Sequence, residues 1–426
     1  MQVVSGALRA SIKRVIPARL KRLIKDVRDL ATPPPIDDVV LAEYVLVPDA
    51  SEAPRLNFVI SNLTRATAFG GVTTGIDVFL ELARHLSRKT PLDLRVIIAE
   101  PDRETDLSII AERAGRFGLE GERIAFHAVR SSTEAIPVRR RDVFVSYSTW
   151  MTLNLQGLLA RQAAHFAQAM KPLVFLIQEY EPHFYPFSSA HMLSREAYDR
   201  TERLWGVFNS SNLQWYFEQV GHSAERSFLL EPVINDKLRP YLDSVATSER
   251  RKRILVYGRP GIARNCFPAI VRGLRRWVRD FPEAAEWEVV SAGTAHKPIA
   301  LGQGRMLESV GKLSLEEYAE MLVSSSVGLS LMASPHPSYP PLEMAHMGLR
   351  TITNGYFGKD LSTFHPNIRS VGSITEKALA DALSRACAEH GAPVNAYRNE
   401  SYVRSDPYPF VPALCAAIAE EIGIAR

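Results

Sequence analysis

Residues 334–349 read Ser-Pro-His-Pro-Ser-Tyr-Pro-Pro-Leu-Glu-Met-Ala-His-Met-Gly-Leu, a combination suited to holding a phosphate and a sugar side by side. The apolar run 327–332 before it fits a buried strand, and the proline-rich loop that follows cannot extend a sheet. Pro340 and Pro341 suit the first turn of a helix, where missing N–H donors cost little, and Gly348 ends it. Backbone donors at such a helix start attract anions, and Ser338 and Tyr339 can add backbone and hydroxyl donors. Glu343, expected in the same first turn, would repel phosphate but can accept from a sugar hydroxyl. That pair of preferences points to a sugar nucleotide.

Four further segments follow apolar runs and carry residue types able to do chemistry. Gly70 and Gly71 open a small-residue stretch where the backbone can approach a ligand, or where a tight turn needs positive φ. The stretch lacks the Gly-x-Gly-x-x-Gly spacing of dinucleotide folds, which disfavours a nicotinamide dehydrogenase. Residues 258–265 include Arg259, Arg264 and Asn265, and two guanidinium groups can clamp a diphosphate; solvated surface arginines are the alternative. Lys312 precedes Ser314 and Glu317, a capping-box pair that would fix the lysine at a helix entrance, although many such lysines are only surface charges. Residues 178–186 bring Glu179, Glu181 and His183 together with aromatic rings, as carbohydrate sites do: polar groups for hydroxyls and ring faces for C–H patches. Helix capping by Glu179 or Glu181 is the structural alternative.

The elements needed to position these segments are legible as alternation. Short apolar strands are expected at 57–61, 94–99, 143–147, 173–177, 207–209 and 227–230, several separated by helical patterns. A polar stretch up to Arg253 then gives way to strands at 254–257, 288–291, 306–310, 327–332 and 351–353, with helices at 266–278 and 315–322. This is the α/β pattern of two Rossmann-like doubly wound domains facing each other across a cleft. The expected division is a basic helix and linker over 1–54, an acceptor-side domain over 55–235, a nucleotide-sugar domain over 236–405 and a C-terminal helix over 406–426 packing back on the first domain.

A chain of 426 residues and 47.5 kDa has material for two cores. No run of about 18 apolar residues marks a membrane span, and Cys266, Cys387 and Cys415 are too few and too scattered for a disulfide framework or a zinc site. A reducing, cytoplasmic location is expected, with no nucleic-acid partner. The first thirty residues hold eight basic and two acidic side chains, a local +6 in a chain of +4, so the remainder is −2. Apolar residues recur there at helical spacing, the pattern of a basic helix lying on the inner face of an anionic membrane, with Pro17 as a kink. A solvated helix packed on protein has the same pattern.

Together these segments resemble GT-B glycosyltransferases of the large retaining family four, and within them the WsaF-type rhamnosyltransferases, from about Asn57 to the carboxyl end. The stretches that carry the likeness are Phe69-Gly70-Gly71-Val72, Gln178-Glu179-Tyr180-Glu181, Phe208 through Leu213, Tyr257-Gly258-Arg259-Pro260, Gly311-Lys312-Leu313 and the 334–348 block. The resemblance implies that Gly70 and Gly71 approach the donor diphosphate, Arg259 and Arg264 neutralise it, Lys312 contacts the nucleotide and Glu343 binds the nucleoside sugar. It implies dTDP-L-rhamnose as donor, a surface-glycan acceptor, lipid-linked or free, and no metal or other cofactor, a positive cradle standing in for magnesium. It further implies retention, with Glu179, Glu181 or His183 as base if the reaction inverts. The family commonly has two glutamates with seven residues between them, and Pro335 occupies the place of the first. A donor-sugar histidine common in relatives is likewise replaced near Gln178 and Glu179. A non-catalytic scaffold with the same cleft, a GT-B epimerase and a transferase for another nucleotide sugar remain alternatives at this stage.

Overall fold

The computed structural model describes residues 41–65, 70–131, 133–199 and 202–424; the basic segment 1–30 and Phe69 lie outside the described residues. The first half of the described chain runs β1 (Val45–Pro48), β2 (Arg55–Ile60), α1 (Gly71–Ser87), β3 (Asp93–Ile98), α2 (Ser108–Ala114), β4 (Ile124–Ala128), β5 (Ala135–Val138), β6 (Asp142–Ser146), α3 (Thr149–His165), β7 (Leu173–Ile177), α4 (Ser189–Asp199), β8 (Leu204–Phe208), α5 (Ser211–Gln219) and β9 (Arg226–Leu229). Seven of these strands pair in parallel in the order β4-β3-β2-β6-β7-β8-β9. Strands such as β7, Leu-Val-Phe-Leu-Ile, are buried along their whole length because helices cover both faces. β1 pairs in parallel with β5, so the stretch expected as a bare linker before Pro54 supplies a strand. It is short and mostly exposed, and so lacks the burial pattern that marks the others.

The second half runs β10 (Arg251–Gly258), α6 (Phe267–Asp280), β11 (Glu288–Gly293), β12 (Ile299–Gly302), β13 (Arg305–Gly311), α7 (Leu315–Ser324), β14 (Ser325–Leu329), α8 (Tyr339–His346), β15 (Arg350–Asn354), β16 (Ile368–Val371), α9 (Glu376–Ala388), α10 (Glu400–Val403) and α11 (Val411–Glu421). Its sheet order is β12-β13-β11-β10-β14-β15-β16, parallel except for β12 on β13. The run expected as a strand to Met332 leaves the sheet earlier. Ser330 N–H still reaches the Ile352 carbonyl, but Met332 N–H bonds the Asn354 side chain at 2.7 Å instead of a neighbouring strand.

α11 closes the structure on the first domain, where Leu414 and Ile418 share a core with Phe58 and Phe79. In each sheet the chain order reverses beside one central strand, between β2 and β6 and between β10 and β14. Ligands in such sheets bind outside the carboxyl ends of the strands at those points, where the glycine, arginine and proline-rich segments stand. Among the described residues no helix is long and apolar enough to cross a membrane.

Candidate functional site

Two glycines bring the carboxyl ends of β10 and β11 together. A Cβ on Gly258 would lie 2.0 Å from Ser291 Oγ, and one on Gly293 would lie 2.4 Å from the Gly258 carbonyl. The chain then passes half-buried Arg259 and makes a single 3-10 turn over Ala263–Asn265. The Arg264 carbonyl accepts from Ala333 N–H at 2.7 Å, and Asn265 Nδ2 meets Met332 Sδ at 3.7 Å. These contacts fasten the arginine loop to the loop after β14, while the Arg264 guanidinium lies 4.6 Å above the Phe184 ring of the first domain. Lys312, exposed, follows Gly311 at the entrance of α7. The capping box there is present, with Ser314 and Glu317 each accepting the other's backbone N–H.

The helix after the proline-rich loop differs from expectation. Ser338 caps α8 with φ 68°, so Tyr339, Pro340 and Pro341 fill its first three positions and no acidic residue stands in its first turn. Two prolines remove two backbone donors, leaving Tyr339 as the one residue of those three with an N–H to offer. The Ser338 N–H is already given to His336 Nδ1 at 3.0 Å. As an anion site this helix start is therefore poorer than the sequence suggests. Glu343 sits one turn further in, where Tyr318 donates its hydroxyl to Oε2 at 3.1 Å. Burial pushes its carboxyl up to about 7, opposed by that bond. The residue as a whole is only partly buried.

Side chains from β7 and β8 reach across the cleft. Glu179 accepts from the Ser334 hydroxyl and from Tyr180 N–H at 3.1 Å. Burial raises its carboxyl above the ordinary range, against the pull of Ser334, Tyr180 N–H, Arg264 and Lys359. Asn209, directly after β8, lies beside the Tyr339 side chain, whose hydroxyl burial pushes up to about 12 against the pull of Asn209. His336 is buried, faces the Asn209 backbone and is driven down to about 3, chiefly by burial and then by the Lys359 charge, so it works as a neutral ring. Thus the 334–349 block is braced by both domains.

On the first-domain side Gly70 takes φ 55°, ψ −125°, and caps α1 without any side-chain bond. A Cβ on Gly71 would lie 2.4 Å from Gln178 Oε1, so Gln178, which donates Nε2 to the Gly71 carbonyl at 2.8 Å, would have to move aside. Packing thus bears on Gly71 alone; Gly70 has open space around it and is set by its positive φ, beside the uncapped start of a 17-residue helix. Glu181 is turned away from the cleft to another task. Its Oε2 accepts from Thr149 N–H at 3.1 Å and from the Thr149 hydroxyl at 3.0 Å, capping α3 rather than the helix that follows it in sequence. Burial lifts its carboxyl to about 7. His183 meets Tyr216 through Nε2 at 3.1 Å and is lowered to about 4 by the loss of water around its ring.

Comparison with known proteins now adds to this geometry. Residues 55–211 match the family description "WsaF, N-terminal domain", and residues 252–384 match "WsaF, C-terminal domain". The two matches follow in order and together cover more than half of the chain. This is a WsaF-family chain with the GT-B glycosyltransferase fold. The O-antigen biosynthesis protein RfbC of Myxococcus xanthus is 30% identical over 180 residues, 42% of this chain but 14% of that protein, so the chain spans about a seventh of the relative's length. The lipopolysaccharide outer core galactosyltransferase WaaB superposes with a TM-score of 0.52 at 12% identity, covering 86% of this chain and 99% of that one. Anabaena HepE, solved with UDP and glucose, gives 0.51 at 10% identity, covering 86% and 97%. At such identities the structures attest the fold alone.

The WsaF-type cleft also holds a residue that sequence reasoning passed over. Lys359, just beyond β15, is buried and donates to the Met332 carbonyl at 3.1 Å and the His336 carbonyl at 3.3 Å. Burial lowers its ammonium to about 8, with Glu179 pulling the other way. A lysine between a short strand and a loop has no sequence signature. The signal that could have found it is its position after the carboxyl end of a strand next to the central pair.

Proposed function

We propose that this chain transfers L-rhamnose from dTDP-L-rhamnose to a hydroxyl of a bacterial surface glycan, with retention and in the cleft between its domains. The observation that carries this reading is the pair of WsaF domain matches, whose second member spans Arg259, Arg264, Lys312 and Glu343, each on or beside a segment that follows a strand of the second sheet. The name of the Myxococcus relative, an O-antigen biosynthesis protein, supports a polysaccharide product. In the reaction the bond from sugar C1 to the diphosphate oxygen breaks and the bond from C1 to the acceptor oxygen forms. Charge that grows on the departing diphosphate is met by fixed cations, which need no reorganisation as the bond breaks. The departing phosphate takes the acceptor proton, since Glu181 is engaged with Thr149 and His183 is a weak base at about 4.

Glu343 would hold a hydroxyl of the nucleoside sugar, and Glu179, fixed on Ser334, stands where the transferred sugar would meet both domains. The test is a thermal-shift and turnover screen of the purified chain against dTDP-, UDP-, GDP- and ADP-sugars, because a bound ligand raises the unfolding midpoint by mass action. Stabilisation by dTDP and release of dTDP from dTDP-L-rhamnose are expected. A larger shift and faster release with any other nucleotide sugar would overturn the donor assignment.

A further inference from the structure

The short turn between β15 and β16 holds an aromatic residue where one is costly. Tyr356 N–H bonds the Lys359 carbonyl at 3.2 Å and Lys359 N–H bonds the Tyr356 carbonyl at 2.9 Å, closing a two-residue hairpin with Phe357 and Gly358 at its tip. Phe357 has φ 47°, a left-handed conformation natural to Gly or Asn and strained for a bulky side chain. Burial does not repay that strain, because 74% of Phe357 remains exposed. Strain held without compensation in packing is a mark of function.

What surrounds the tip indicates which function. A Cβ on Gly358 would lie 2.5 Å from the Trp215 ring, so the hairpin of the second domain docks directly on α5 of the first, and Trp215 is still 44% exposed. The Tyr216 ring stands 5.1 Å from that of Phe357, edge to face, and the Tyr356 ring 5.3 Å from it. His183 lies 5.9 Å from Tyr356 and bonds the Tyr216 hydroxyl. The exposed rings of Phe357 and Trp215, next to half-buried Tyr356 and the exposed His183 imidazole and with buried Tyr216 packed against Phe357, suit a sugar, which offers a C–H patch on one face and hydroxyls around its rim. The base of the hairpin is Lys359, whose bonds to the Met332 and His336 carbonyls join it to the loop of the nucleotide-side wall. The platform is therefore continuous with the cleft.

We propose that Phe357, Tyr356, Trp215, Tyr216 and His183 form a saccharide-binding platform, assembled from both domains, that holds the acceptor glycan at the mouth of the cleft. This rests on the glycosyltransferase reading for the identity of its occupant as an acceptor. The probe is an immobilised panel of purified bacterial oligosaccharides and polysaccharides, read with the full chain and with Phe357→Gly and Trp215→Ala. The wild-type chain binds at least one glycan class, and both variants lose at least tenfold in affinity for it, while dTDP affinity measured by calorimetry stays within twofold. Phe357→Gly relieves the left-handed strain, so its unfolding midpoint is at or above that of the wild type and loss of binding is not loss of fold. Wild-type glycan binding by Phe357→Gly, or no glycan binding by the unmodified chain, would overturn the platform. Release of dTDP from dTDP-L-rhamnose, measured separately, decides the transferase reading without touching this result.

Discussion

Replacing Lys359 by Met separates what the buried ammonium costs from what it holds. The fall from 10.5 to about 8, at about 1.36 kcal/mol for each tenfold change in proton affinity, makes the charged form ~3 kcal/mol less favourable in the fold than in the unfolded chain. Against this stand two hydrogen bonds. The Met332 carbonyl also accepts from Asn354 Nδ2 at 3.1 Å, so only the His336 carbonyl is at risk of being left without a partner, a loss of about 1–3 kcal/mol. Lys359→Met should therefore be as stable as the wild type at pH 7, or more stable by up to ~2 kcal/mol. Because the folded value lies below the unfolded one, the unfolded chain binds more protons between about 8 and 10.5, and wild-type stability rises with pH across that window. The advantage of Lys359→Met should then vanish by pH 10.5. Urea unfolding at pH 7 and pH 10.5 measures both values, and calorimetry should show dTDP affinity down about tenfold, ~1.4 kcal/mol, as the freed loop loosens. A variant more than ~2 kcal/mol less stable at pH 7, or an advantage unchanged at pH 10.5, would refute the reasoning.

Glu343 should make nucleotide binding depend on pH, because its carboxylate accepts from a hydroxyl more strongly than the neutral acid does: dTDP affinity rises as pH passes about 7, and Glu343→Gln flattens the profile in calorimetry. Its folded value is raised above the usual 4.5, so the stability it contributes is full below that value and is lost as pH rises through about 7, a slope the same variant should reduce in urea unfolding. Gly71→Ala would set a methyl 2.4 Å from Gln178 Oε1 and displace the Gln178 side chain from the Gly71 carbonyl, lowering stability by about 0.5–1.5 kcal/mol, the net worth of one hydrogen bond, measured by the same method. Arg259→Ala should lower turnover of the sugar nucleotide by about 10²–10³, as loss of a fixed donor to a developing oxyanion does; wild-type turnover would remove Arg259 from the diphosphate site.

Periodicity made the fold legible because the sheets are mostly parallel and their central strands are covered on both faces, so that β7 reads as an unbroken apolar run. Several marginal strands escaped for the opposite reason, although the edge strand β9 was legible. β1 and β4 are partly exposed, and β12 pairs antiparallel at the margin of its sheet. At the site, Ser314 and Glu317 were legible because a capping box is local in sequence. Glu181 was not, because the helix it caps begins 32 residues earlier in the chain. The helix register at Glu343 was misread for a third reason. Prolines mark a first turn but do not say where it starts, and Ser338, in a backbone conformation foreign to its residue type, sets that start.

Pro335, in the place of the first family glutamate, makes the donor-sugar end of the site look empty of acid when read along one chain segment. In the fold a carboxylate does arrive beside it, carried by the other domain: Glu179 is bonded to Ser334, the residue next to Pro335. A carboxylate supplied from within the 334–349 loop would meet a sugar whatever the first domain did. One supplied by the loop after β7 meets it only where the first domain lies against Ser334. Glu179→Ala should consequently leave dTDP binding nearly intact, since that ligand carries no transferred sugar, while weakening binding of an intact dTDP-sugar by about tenfold or more. Calorimetry with the two ligands distinguishes the outcomes. An equal loss for both would mean that Glu179 supports the nucleotide wall through Ser334, and that the transferred sugar is held elsewhere.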